Sequence, residues 1–285
     1  MSSLAARHRR DRIMTGAMIV AVLVAIIPLG FILADVIVKG AGQLSASFFT
    51  QPEPFVATAG GGGFGAGIRG TIKMVALGSV VSVPIGVLAA VHLSEYDPRG
   101  PLATVVRFFA DVMTGIPSIF VGIFVFTAIV LVTHSFSSWA GGLALGILML
   151  PIIVRTSEEA LRLVPGALRE AALALGVRRW RTIVSVILPT ALPGITTGVL
   201  LAIARAAGET APLLLTAFGN QLLVGWGSFN GPEAALTLEI FANSRSPFPA
   251  QQARAWTGAL VLILGILVLS LIARAVVARR ARGAR

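Results

Sequence analysis

The sequence predicts an all-helical membrane protein with six transmembrane helices, and three observations point there. The 285 residues are 56% hydrophobic and only 12% charged, with a mean hydropathy of +0.89. A soluble domain is nearer half apolar and a quarter charged. Apolar runs long enough to cross a hydrocarbon core of roughly 30 Å, which takes about 20 helical residues, recur along the chain. The arginines gather in alternate connections between those runs. This composition excludes a disordered chain, a disulfide-stapled secreted module and an ordinary cytosolic enzyme. With no cysteine there is no thiol nucleophile and no Cys-based metal site.

The elements follow in order. Residues 1–12 form a basic leader and 13–38 the first span, interrupted only by Pro28 and Asp35. The basic start followed by an apolar run also fits a signal peptide. The run, however, exceeds the roughly 7–15 residues of a signal h-region, and no small-x-small cleavage site follows, so it reads as a retained anchor. Residues 39–70 are an external loop. Residues 71–277 hold the other five spans, at about 71–94, 108–132, 136–154, 191–217 and 256–277, with a cytoplasmic loop at 158–190. Residues 278–285 are a basic tail. A second long external loop covers about 218–255, and no internal repeat of the kind found in many secondary transporters stands out.

Six spans put both termini on one side. Seventeen of the 23 basic residues lie before span one, between spans two and three, between four and five, and at the inner end of span six or beyond it. By the positive-inside rule that side is cytoplasmic. The net charge of +11 is then topological, and nucleic acid is not an expected partner.

The run from Ala59 to Gly67 invites a phosphate-loop reading. A Walker A loop needs Lys-Ser/Thr after its last glycine, because those side chains meet the phosphates and Mg²⁺; here Ile68 and Arg69 follow. The run reads instead as a flexible lead-in to span two. His8, His92 and His134 stand singly, in no metal-ligand or triad spacing.

The cytoplasmic loop is the most informative stretch. Residues 168–175 are strong helix formers, and Gly176 is placed to cap them in a left-handed conformation. Trp180, Ile183, Val184 and Ile187 then recur at helical spacing until Pro189 interrupts them. Two short helices joined by a turn suit a groove on a partner. An amphipathic helix on lipid headgroups is the plainer alternative. Glu170-Ala171-Ala172, Gly176, Val186 and Leu188-Pro189 together resemble the EAA coupling loop of ABC-importer permeases, with Val186 where isoleucine is usual. The resemblance implies that this loop docks into the ATPase subunit.

Charges inside the spans are costly, at roughly 2.5–3.5 kcal/mol each on insertion scales, and tend to face a bundle interior or a polar route. Arg205 falls near the middle of the fifth span with Glu209 one turn on, and Arg155 with Glu158 sits at the inner end of the fourth. Arg155 is also able to snorkel to the interface, and Asp35 and Asp111 read as interfacial. Arginines lining an anion route and structural ion pairs between helices are both open readings of these residues.

Residues 201–217 around Arg205 and Glu209, the stretch from Gly70 to Tyr96, and Arg155-Thr156-Ser157-Glu158 with Leu163-Val164-Pro165 resemble the phosphate-specific branch of those permeases. That resemblance implies a type I importer permease of MetI-like fold in the bacterial inner membrane, paired with a second, PstC-like permease. It also implies a homodimeric PstB-like ATPase that uses ATP and Mg²⁺, and an external PstS-like phosphate-binding protein. No cofactor binds this chain itself, and lipid is its surroundings. Arg155, Glu158, Arg205 and Glu209 become the expected phosphate positions. A permease for molybdate, sulfate or an amino acid, and an ion-coupled secondary transporter or channel, are the rival readings. An intramembrane enzyme lacks a paired nucleophile and base.

Overall fold

Apolar side chains in helical register produce long helices that run on through the internal prolines Pro28, Pro84, Pro151 and Pro193. The computed structural model describes residues 2–220, 222–223 and 225–283, without the side chains of 2–5 and 278–283; the side chains of the expected basic tail, 278–285, lie outside the described residues. Helix α1 (Ser2–Gly40) leads through a short 3-10 turn to α2 (Ala46–Thr50). Helix α3 (Gly65–Val91) ends in a π turn, His92–Tyr96. Then come α4 (Pro101–Gly115), α5 (Ser118–Val125), a π turn at Phe126–Val130, α6 (Leu131–Thr133) and α7 (Ser138–Arg162). The loop helices α8 (Gly166–Ala174) and α9 (Arg179–Thr182) pass through a π turn at Ile183–Ile187 into α10 (Leu188–Ala207). Helices α11 (Ala211–Thr216), α12 (Leu236–Ser244) and α13 (Pro249–Gly283) complete the chain.

Among the described residues five helical stretches are long and apolar enough to cross a membrane, or six if the bent pair α4 with α5–α6 is counted as one span. That pair departs from the straight third span expected at 108–132. It bends by 105°, because Pro117 drives Ile116 into extended backbone (φ −76°, ψ 129°) after Gly115. Arg107 consequently sits on a helix, not in a loop.

The fifth span also differs, at both ends. Pro189 does not break the helix: residues Arg179–Ala207 run on continuously, and the π turn just before Pro189 accommodates a residue that has no N–H to give. At the other end the expected 191–217 helix stops at Ala207, and Gly208, Glu209 and Thr210 separate it from α11, which has Pro212 in its first turn. Arg205 is therefore in the last turn of its helix, not at mid-span.

The core forms where α3 crosses α7. Met74, Leu145, Met149 and Ile153 pack there with Ala202 and Ala206 of α10 and Leu213 of α11. The backbones meet at Gly78, where a Cβ would lie 2.8 Å from the Gly142 carbonyl oxygen; close approach at small residues is how helices associate in lipid. A second cluster, including Ala90, Leu161, Val164, Ile183 and Ile187, seats the α8–α10 segment under the ends of α3 and α7. By contrast α1 is exposed along nearly all its length. It joins the rest at its last turn, where Thr257 donates to the Gly40 carbonyl at 2.8 Å and Lys39 lies over the Trp256 ring.

Candidate functional site

Two ends of the bundle can be told apart. The α8–α9 segment and the turn before α4 mark the basic end; the 41–64 and 217–235 connections mark the far end. At the basic end α8 closes as expected. Gly176 takes φ +74°, and Gly176 and Val177 donate backwards to the Leu173 and Ala172 carbonyls at 2.9 and 3.2 Å, a Schellman cap. Of the expected coupling residues, Glu170 and Ala171 face outward, Ala172 is buried, Leu188 is half-buried and Pro189 is exposed. Leu173, Leu175 and Trp180 are each more than half exposed beside them. Glu170 thus stands exposed among protruding apolar side chains.

Just above lies a group of five charges on α4 and α7. Arg155 donates from Nε to Asp111 Oδ1 at 2.8 Å, and its Nη2 grips the second Asp111 oxygen. Its Nη1 is 3.5 Å from Glu158. Glu158 is buried and binds more tightly to Arg107, at 2.7 Å, and to Arg162, at 2.6 Å. So the expected Arg155–Glu158 pair exists, but it is the long edge of a network in which Asp111 is the principal partner of Arg155. Spacing along one helix revealed the weak edge; of the stronger ones Arg162–Glu158 is an i,i+4 pair within α7, and the other two join α4 to α7.

Arg205 and Glu209 form the other expected pair, 3.7 Å apart across the end of α10. The two sites do not merge. Gly198 packs on Thr156, and Arg205 is two helical turns farther, about 10 Å along the axis. The Arg205 side chain is 51% exposed, and among the described residues its guanidinium makes no hydrogen bond. The backbone beneath is pinned, since Thr237 Oγ1 donates to the Glu209 carbonyl at 2.8 Å. A broken helix thus presents a planar cation with open donors at the chain's surface, a carboxylate at its side.

Two buried groups at the far end were not foreseen. Lys73, on α3, is ion-paired with Glu233 and donates to the Ser228 carbonyl at 2.7 Å, and Ser138 donates to Glu233 at 2.8 Å. A lysine inside an apolar run was the available signal. Farther out, Arg254 is fully buried, 3.7 Å from Glu53, and donates to the Ala59 carbonyl at 2.8 Å. The glycine run is thus held at Ala59, stays exposed at Gly60 and Gly61, and is buried from Gly63 into the first turn of α3. Glu239 accepts from the Gly67 N–H at 3.1 Å while its Oε1 has no hydrogen-bond partner among the described residues. Burial, and then the neighbouring Glu53, push its carboxyl up to about 8 against the opposing pull of that N–H. Among the described residues no three His, Cys, Asp or Glu side chains gather as metal ligands.

Residues 82–282 match the family described as binding-protein-dependent transport system inner membrane component. The chain belongs to that family. It is 41% identical over 275 residues to the phosphate transport system permease protein PstA of Yersinia pestis, covering 96% of this chain and 92% of that one. It is 39% identical over 287 residues to PstA 1 of Mycobacterium tuberculosis strain H37Rv, covering 97% and 91%. An inward-facing MetNI methionine ABC transporter chain superimposes with a TM-score of 0.60 at 20% identity, over 75% of this chain and 95% of that one. The fold is therefore MetI-like, as the sequence led us to expect. This is a multi-pass membrane permease subunit of an ABC importer, a class whose ATPase is a separate subunit.

Proposed function

We propose that this chain is the permease subunit of an ATP-driven phosphate importer in the bacterial inner membrane, with both termini cytoplasmic and residues 71–277 as its permease core. The near-full-length likeness to phosphate transport permeases supports the substrate. The observation that carries the role of the site is Arg205: a half-exposed guanidinium with open donors, on a helix otherwise apolar enough to face lipid. Such a charge is tolerable in a membrane only where a partner or a polar route covers it. A PstC-like second permease is that cover, and the route runs between the two.

The basic end faces the cytoplasm. The loop at 158–190 carries Glu170, Ala171, Ala172, Gly176, Leu188 and Pro189 as its coupling residues and docks on a PstB-like ATPase dimer, which binds the ATP and Mg²⁺. A PstS-like protein delivers phosphate at the far end. Arg205 takes the anion bidentately, and Glu209 keeps the hold weak enough to release it. In the form described here Arg155 is held by Asp111 and Glu158, so the inner station is closed until helix movement separates α4 from α7. Phosphate passes chemically unchanged.

The test is reconstitution of the four components in vesicles with radiolabelled phosphate. Uptake that requires ATP, with hydrolysis stimulated by phosphate-loaded binding protein, is expected. Stimulation by molybdate or sulfate but not phosphate would overturn the substrate. Gradient-driven uptake by this chain alone would overturn the class.

A further inference from the structure

Beside the apolar packing of Ala90 and Val91 on Ile183 and Ile187, a buried carboxylate ties the coupling segment to span two. Glu95 lies in the π turn that ends α3 and is 7% exposed. Arg169, one residue before Glu170, grips it with a fork: Nη2 to Oε1 at 2.7 Å and Nε to Oε2 at 3.1 Å. The same guanidinium donates to the carbonyls of Leu161 at 2.8 Å and Val164 at 2.6 Å, the end of α7 and the connection after it. Arg179, across the Gly176 turn, donates to the backbone carbonyls of Glu95 and Tyr96 and stacks over the Tyr96 ring at 5.4 Å. Both halves of the coupling segment therefore hold the same five-residue turn.

Consecutive residues of a helix point about 100° apart. Glu170 is thereby outward and exposed while Arg169 turns inward to Glu95. Glu95 is too deeply buried to meet a docked protein, so its contribution is made within the chain. A bidentate charged pair resists both sliding and rotation, and π turns recur at sites where a helix must yield. Beyond Glu95, α3 is the helix that crosses α7 in the core and carries Lys73 at its other end.

We infer that Glu95 is a positioning residue that transmits movement of α8 to α3, so that displacement of the docked coupling helix reaches the far end of the transport route. This rests on the reading of 158–190 as the ATPase-coupling loop. It concerns transmission and not docking, and the two are separable.

The experiment uses the complete reconstituted complex carrying Glu95→Gln, which keeps the shape but removes the charge. The ATPase is expected to co-purify and hydrolyse ATP at its basal rate. Phosphate transported per ATP, and stimulation by loaded binding protein, should both fall about tenfold, the scale of one lost charged hydrogen bond. Arg169→Lys, which keeps the charge but not the fork, should lower the same ratio less. Because the chain has no native cysteine, Glu95→Cys with Arg169→Cys can be bridged by a short bismaleimide, and bridging should restore the ratio. Normal coupling in Glu95→Gln would overturn the proposal. So would an assembled but still uncoupled bridged pair, or loss of assembly in Glu95→Gln with normal coupling in Arg169→Lys. Failure of the underlying reading would show elsewhere, as an unaltered complex in which phosphate never stimulates hydrolysis.

Discussion

Lys73 with Glu233 and Arg205 with Glu209 are both cation–carboxylate pairs whose cation stands on a membrane helix, yet they are built to opposite specifications. Lys73 and Glu233 are almost wholly buried and satisfied by Ser138 and a loop carbonyl. Arg205 is half exposed, 3.7 Å from its partner, and hydrogen-bonds to nothing among the described residues. A pair closed on itself spends its charge on structure. A pair left open at the surface has charge to offer a ligand. The Arg155 group is intermediate, half closed on partners within the chain that are split between α4 and α7.

The comparison is most easily broken at Lys73. Lys73→Met strands Glu233 in the interior and should destabilise the chain by about 3–5 kcal/mol, read as a lowered unfolding midpoint in detergent. Adding Glu233→Gln should recover most of the loss. Little change in the single variant would erase the distinction between the pairs.

Glu239 sharpens it through pH. Its carboxyl titrates at about 8, above the ordinary 4.5, so between these values the folded chain keeps a proton that the unfolded chain has lost. Stability from this group is complete below about pH 4.5, falls as pH rises to about 8, and then levels off, a total on the order of a few kcal/mol. Glu239→Gln should flatten that slope, and an unchanged profile would show that the group is not buried as described.

At Arg205 the expectation reverses: Arg205→Gln should lower phosphate uptake at least tenfold, about 1.4 kcal/mol, with unfolding midpoint and assembly unaltered. Loss of the folded complex would make it a structural pair like Lys73. The smallest effect belongs to Gly176→Val. Space is open around the glycine, so only the left-handed backbone is penalised, by about 1–2 kcal/mol. Weakened ATPase co-purification without loss of the membrane core is the expected readout.

The apolar helices and the α8 cap were legible because they are local: hydropathy, a helix-forming run and one glycine suffice. The Arg205–Glu209 pair was legible for the same reason, as an i,i+4 neighbour. Asp111 as the principal partner of Arg155 was not, being 44 residues away. Nor was Glu95, whose partner Arg169 is 74 residues distant. The effects of proline also escaped. Pro189 stays inside a helix because a π turn absorbs it, while Pro117 turns the chain through 105°.

By itself the sequence determined that the chain lives in a membrane, roughly where its apolar runs cross it and which loop bears the coupling pattern, since transfer to lipid and short-range backbone preference depend only on residues near one another. The tertiary structure alone decided which charges are spent on one another and which are left over. That choice depends on a few ångströms of separation between helices, set where glycines let α3 and α7 touch, and no spacing along the chain encodes it.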